Sequence, residues 1–272
     1  MQKKRLLVVT LFTLASVACE PALEAARRVT LADDVASRTI VGISRDAEGD
    51  ALQLLTVDEG TARVDTDGEL IDENTYGANG LLQDAYRDLA VDDDGTIFLL
   101  ADNEGFRFNA ERLEFEQHFC VLPGDDLSSD MPIAPGESPP EPWQENDALT
   151  LVDDTLIAAP RFFDGRRTAP NEALLSSYNK SDGEPTGVVN ITALGLNILA
   201  LAATSADIYA LAGGDLHVFS RQGDYRGEIE IGSMVTDPQA MTLVGDELVF
   251  LDGDELVFVA LESIEGHINS PL

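Results

Sequence analysis

The chain is poor in positive charge. Across 272 residues it has 17 Lys and Arg against 50 Asp and Glu, a formal charge of −33. Lysine is the scarcest of these: only Lys3, Lys4 and Lys180 occur. A nucleic-acid binder needs a basic footprint, and this chain has none. The same deficit argues against docking on an anionic bilayer through a polybasic patch.

Cysteine is nearly absent too, with Cys19 and Cys120 alone. Cys19 and Cys120 lie too far apart for the close cysteine pair of a zinc finger, and His118, His217 and His267 show no ligand spacing. No Gly-x-Ser-x-Gly elbow and no phosphate-cradling glycine loop is present. His217 alternates with Leu216 and Val218, which reads as a strand-face residue without a catalytic role. Cys120 closes an alternating run and reads as a buried structural thiol. Long amphipathic helical patterns are missing throughout. Disorder is disfavoured, because 44% of residues are hydrophobic and the mean hydropathy is −0.03.

The N-terminus holds the first positive signal. Lys3, Lys4 and Arg5 precede residues 6–18, which carry no charge. A basic start, an apolar stretch and small junction residues read as a secretory signal, too short to span a bilayer. The junction Ser16-Val17-Ala18-Cys19 resembles the lipobox of bacterial lipoproteins, departing from it at Ser16, where leucine is commonest. The resemblance implies acylation of Cys19, removal of residues 1–18 and a membrane anchor made of lipid. An ordinary signal peptide is the alternative. Glu20 in place of aspartate leans the sorting toward the outer membrane. Residues 19–28 then form a lipidated tether and residues 29–272 the folded domain. Removing residues 1–18 takes away three basic residues and no acidic one, so the acidity belongs to the exported part. It reads as a solubility adaptation to salt water.

Short apolar or alternating runs separated by Gly, Asp and Asn turns dominate the rest, the signature of an all-β fold. They repeat, with equivalent first strands near residues 41, 89, 149, 200 and 241. Three third strands end alike: Val64-Asp65-Thr66-Asp67-Gly68, Tyr178 through Gly183, and Phe219-Ser220-Arg221-Gln222-Gly223. That glycine suits a turn position with positive φ. Periods of about 40–50 residues with four strands each point to a β-propeller. The run Leu89-Ala90-Val91-Asp92-Asp93-Asp94-Gly95-Thr96-Ile97-Phe98 resembles NHL-type propeller repeats. Five blades are expected, with a six-bladed ring and a β-sandwich as alternatives. The last repeat lacks a fourth strand after Ala260, and residues 28–35 are placed to supply it.

Two segments break the repeat. Residues 122–146 hold six prolines and the sole tryptophan, Trp143, and read as a long surface loop. Residues 161–172 interrupt the third repeat and gather Arg161, Arg166 and Arg167 beside Phe162 and Phe163. Loops of this kind on a rigid scaffold often carry binding. Trp143, Arg161, Arg166 and Arg167 are the candidate binding residues, with tolerated insertion and local charge balance as the plain alternatives.

Fifty acids guarantee chance carboxylate pairs, which are weak evidence for glycoside hydrolysis. Asp65-Thr66-Asp67-Gly68 and Asp92-Asp93-Asp94-Gly95 resemble pieces of calcium loops, but neither reaches a glutamate at the twelfth position. No cofactor and no obligate metal is expected, and no catalytic residue stands out. The expectation is a lipid-anchored propeller at the bacterial envelope that binds a protein or glycan partner without catalysis. The alternatives are a propeller hydrolase of sugars or lactones, with calcium on the axis, and a scaffold for outer-membrane assembly.

Overall fold

The acidic turns and apolar runs fold into hairpins whose inner strands are buried on both faces. The computed structural model describes residues 27–57, 60–74, 86–101, 104–109, 114–120, 148–159, 174–190, 196 and 198–268. It begins with β1 (Arg27–Thr30) and a short helix, α1 (Asp33–Ala36). Blade 1 follows as β2 (Ile40–Arg45), β3 (Ala51–Thr56), β4 (Gly60–Asp65) and β5 (Leu70–Asn74). Blade 2 is β6 (Tyr86–Val91), β7 (Ile97–Ala101), β8 (Glu104–Asn109) and β9 (Glu114–Cys120). Blade 3 is β10 (Ala148–Val152), β11 (Thr155–Ala159), β12 (Leu174–Asn179) and β13 (Pro185–Asn190). Blade 4 is β14 (Ile198–Ala203), β15 (Asp207–Ala212), β16 (Asp215–Ser220) and β17 (Tyr225–Glu230). Blade 5 is β18 (Pro238–Val244), β19 (Glu247–Asp252) and β20 (Glu255–Ala260), trailed by α2 (Leu261–Glu265).

The result is five four-stranded antiparallel sheets. The first strands β2, β6, β10, β14 and β18 pack side by side in a closed ring, β18 returning to β2. The protein is therefore a five-bladed β-propeller, as the repeat period predicts.

Closure uses the N-terminal strand. β1 pairs antiparallel with β20, Arg27 opposite Phe258 and Thr30 opposite Glu255. The fourth strand of blade 5 thus comes from the start of the domain, which removes a bare edge. It spans 27–30 rather than running on to residue 35. Leu31 N–H turns to Asp254 O (2.8 Å), and Asp33 and Asp34 then sit in the first turn of α1, where a helix favours acid.

Each core cluster lies between neighbouring blades. Ile43, Leu52, Leu54 and Val64 of blade 1 meet Val249, Leu251, Leu256 and Phe258 of blade 5. Tyr209, Leu211 and Leu216 of blade 4 meet Phe250, Val257 and Val259 of blade 5. A central strand is covered on both faces, so β15 is buried at all six positions. That is why such strands read as continuous apolar runs instead of alternating ones.

The shared third-strand ending makes a contact between blades. Gly68, Gly183 and Gly223 have φ of +82°, +73° and +90°. Asp65 Oδ1 accepts Asp67 N–H (2.9 Å), Asn179 Oδ1 accepts Ser181 N–H (2.8 Å), and Ser220 Oγ accepts Asp224 N–H (3.0 Å). Each glycine lies against the outermost strand of the preceding blade, at Thr30 O, His118 O and the Val189 side chain. A Cβ would collide at all three places.

Candidate functional site

The ring of first strands is where a propeller brings groups from different blades together. Four of these strands slip register at the same point, between Ile40 and Gly42, Tyr86 and Asp88, Ile198 and Ala200, and Pro238 and Ala240. The residues just past the bulge are Gly42, Asp88, Ala200 and Ala240, and β10 starts at Ala148. Among the described residues, Asp88 is the one carboxylate at this level of the ring.

Asp88 is 5% exposed and joins three blades. Its Oδ1 accepts Leu89 N–H (2.8 Å) and its Oδ2 accepts Leu149 N–H of blade 3 (2.8 Å). A Cβ on Gly42 of blade 1 would stand 2.8 Å from Oδ1. Nearby, Ser44 Oγ accepts Val91 N–H (3.1 Å). The first strands thus satisfy one another's backbone groups, as buried N–H groups require. Both Asp88 oxygens carry backbone N–H donors, which suits a structural acceptor better than a general base.

The hairpins after the first strands hold the buried carboxylates Asp46, Asp92 and Asp207, while Asp252 closes the second strand of blade 5. Asp46 Oδ1 caps its turn by accepting Gly49 N–H (2.7 Å), Asp50 N–H (3.2 Å) and Ala51 N–H (3.2 Å). Its Oδ2 accepts Arg63 Nε–H (2.9 Å) and Nη2–H (2.6 Å). Burial pushes the Asp46 carboxyl up, but Arg63 and the backbone donors outweigh it and hold it below the ordinary range. Glu48 and Asp50 join it, with one oxygen of each of the three within 4.8 Å of the others. Arg63 Nη2 lies 3.1 Å from Glu48 Oε2 and 3.8 Å from Asp50 Oδ1, so a guanidinium already serves this group. Sequence reasoning missed the Asp46-x-Glu48-x-Asp50 spacing, which was there to be read.

The two calcium-like pieces cap turns as well. Asp65 Oδ1 accepts Asp67 and Glu69 N–H (both 2.9 Å), and Asp94 Oδ1 accepts Thr96 N–H (2.8 Å). Asp92 Oδ1 instead accepts from Lys180 Nζ (3.0 Å), a cation of blade 3 that also reaches Asp154 Oδ1 (3.1 Å). Blade 4 repeats the theme: Arg226 Nη1 donates to Asp207 Oδ2 (3.0 Å). His217 is 7% exposed, with Nδ1 3.2 Å from the Tyr225 hydroxyl. A cleft of about 340 Å³ on blade 2 is lined by Thr96, Arg107, Phe108, Asn109 and Glu116.

Cys19, Trp143, Arg161, Arg166 and Arg167 lie outside the described residues, and so does the side chain of Cys120. Their segments stand out by chain length alone. Residues 121–147 join blades 2 and 3, where the other blade-to-blade connections are 31–39, 75–85, 191–197 and 231–237. Residues 160–173 join the second and third strands of blade 3, where the equivalents are 57–59, 102–103, 213–214 and 253–254. Both long insertions belong to one sector of the ring.

No protein-family model matches the chain, and no curated protein matches it in sequence. Solved structures match it in shape. A glutaminyl cyclase from Myxococcus xanthus aligns with a TM-score of 0.55 at 12% identity, covering 87% of this chain and 94% of that one. A nidogen/laminin complex aligns with a TM-score of 0.51 at 14% identity, covering 84% of this chain and 78% of that one. At such identities the likeness is one of fold, and it agrees with the propeller architecture.

Proposed function

We propose that the protein is an exported propeller, anchored by lipid at Cys19, that binds a protein or glycan partner at the bacterial cell envelope without catalysis. The carrying observation is that both long insertions attach to blade 3, 121–147 leading into it and 160–173 between its second and third strands. Trp143, Arg161, Arg166 and Arg167 belong to these insertions and are the proposed contact residues. β1, which takes in Arg27 and Arg28 from the end of the expected tether, lies in blade 5, across the ring from blades 2 and 3. The identity of the membrane as the outer one rests on Glu20.

A hydrolase needs acidic or amide groups converging from several first strands. Among the described residues only Asp88 stands at that level, and backbone donors occupy it. That favours binding over catalysis. The test has two arms. Mass spectrometry of the protein from its native membrane should find a diacylglyceryl thioether on Cys19. Photo-crosslinkers at Trp143 and Arg166 in intact cells should join one specific envelope component. A free Cys19 thiol removes the anchor. Turnover of a sugar or lactone without a specific crosslink replaces binding by hydrolysis.

A further inference from the structure

Outermost strands of a sheet expose unpaired N–H and C=O groups, and proteins normally guard them with charge. Four of the five outermost strands here are guarded: β1 by Arg27 and Arg28, β5 by Asp72 and Glu73, β9 by Glu114 and Glu116, and β17 by Arg226, Glu228 and Glu230. β13 reads Pro185-Thr186-Gly187-Val188-Val189-Asn190 and has no charged residue. In a chain with 50 acids and a formal charge of −33, an uncharged edge is the exception.

The strand is also open. Residues 185–188 are exposed, Val188 at 58%, the more exposed of the two large exposed hydrophobics among the described residues. A Cβ added at Gly187 would meet nothing within 4 Å. β13 pairs on one side only, with β12, from Leu174 opposite Asn190 to Tyr178 opposite Pro185. Pro185 protects just the first position. Val189 faces inward against the blade 3–4 core and Gly223, while Val188 faces out.

We propose that the outer edge of β13 takes up an extended peptide strand of a partner protein by backbone pairing, and that the strand is uncharged in its middle and basic at its ends. The proposal rests on the binding-module reading and specifies its partner. The middle follows from the uncharged edge, where a ladder supplies affinity and Val188 a side-chain contact. The basic ends follow from charge. Exposed Asp182 and Glu184 precede the strand, and exposed Asp224 follows Gly223, which lies against Val189 near its far end. A second copy of this chain is disfavoured as occupant, because it would bring another −33 to the same edge.

The probe is the acetylated heptapeptide Lys-Val-Thr-Val-Thr-Val-Lys, titrated into the mature chain and followed by amide NMR. Shifts and exchange protection should centre on residues 186–189. Methylating alternate backbone nitrogens of the peptide should weaken binding by about tenfold or more, because the ladder is then blocked. Val188→Lys and Thr186→Lys should weaken the unmodified peptide by a similar factor, while Ile71→Lys on β5 should not. Equal affinity for the methylated peptide, or protection centred on another strand, overturns the proposal. Sedimentation showing a wild-type dimer that Val188→Lys dissolves overturns the choice of occupant. A specific envelope crosslink at Trp143 combined with no peptide binding at β13 sinks this inference and leaves the binding-module reading standing.

Discussion

Lys180 Nζ stands 3.0 Å from Asp92 Oδ1 and joins blade 3 to blade 2. Lys180 is the one lysine beyond residue 4. Its backbone is held as well: Lys180 N–H donates to Asp154 O (3.0 Å), and its carbonyl lies 2.9 Å from His118 Nε2. The Asp92 hydrogen bond raises the Lys180 pKa above its ordinary 10.5, against the smaller opposing effect of burial. Lys180→Met leaves Asp92, at 8% exposure, without its cation. We expect a loss of about 1–2 kcal/mol, discounted for the partial exposure of the amine. The pH sign follows from linkage. A raised lysine pKa contributes stability that is complete below the unfolded value and fades as pH climbs through the folded one. The difference between wild type and Lys180→Met in urea unfolding should therefore be constant at neutral pH and shrink above about pH 10.5. Tyr209, pushed up to about 12 by burial, also titrates at alkaline pH, but in both proteins, so the difference isolates the lysine. A difference flat through that range would show that the latch is not ionic.

Gly183 supports a second prediction. It needs positive φ, and a Cβ there would strike His118 O. Gly213 has φ of +65°, but a Cβ would meet nothing within 4 Å. Gly213→Ala should cost about 1 kcal/mol, the backbone penalty alone. Gly183→Ala should cost about 2–4 kcal/mol, since overpacking adds to that penalty. Equal unfolding midpoints for the two variants would remove the blade-to-blade contact from the account of this motif.

The same glycine marks how far the sequence could be read. The shared ending was visible, and so was its demand for a left-handed turn, because both are local. Its second role against the preceding blade was not, because strand-to-strand proximity across repeats leaves no local pattern. The repeat period and the missing last strand were legible, since each blade counts to four and blade 5 stops at three. Asp88 was not. Its spacing resembles that of many other acids, and only the ring of first strands brings it to Leu149 N–H. Lys180 was noticed for its rarity, but its partner Asp92 lies in another repeat. The Asp46 group is a plain miss, obscured by an acidic background in which carboxylate clusters are common.

The two described strand histidines give a prediction in the acid range. Burial lowers the pKa of both His118 and His217 below the ordinary 6.5. Each is therefore held neutral in the folded state, while the unfolded chain takes up protons from about pH 6.5 downward. Where the unfolded state binds more protons, stability rises with pH. Stability should thus fall as pH drops below about 6.5, and His217→Gln should lessen that fall. Ring-proton NMR should find both titrations below 6.5, and a midpoint above it for either ring would contradict its burial.

The final prediction concerns the strand that closes the ring. β1 covers the edge of β20, where Leu256, Val257, Phe258 and Val259 are fully buried. Arg28 Nη1 donates to Glu255 Oε2 (2.7 Å), and the Arg27 guanidinium carbon lies 3.6 Å from the Phe258 ring centre. Leu31, just past the strand, is 2% exposed in the blade 5–1 core. Removing residues 1–26 should leave the unfolding midpoint in place, because no described contact is lost. Removing residues 1–32 strips the closing ladder and the Leu31 anchor, which should cost about 3 kcal/mol or more. It also bares β20 as an apolar edge, so this chain should self-associate in sedimentation. A synthetic peptide of residues 27–32 should restore both the midpoint and the monomer by refilling the blade. If the two truncated chains unfold at the same midpoint and sediment alike, the ring does not depend on β1 for closure.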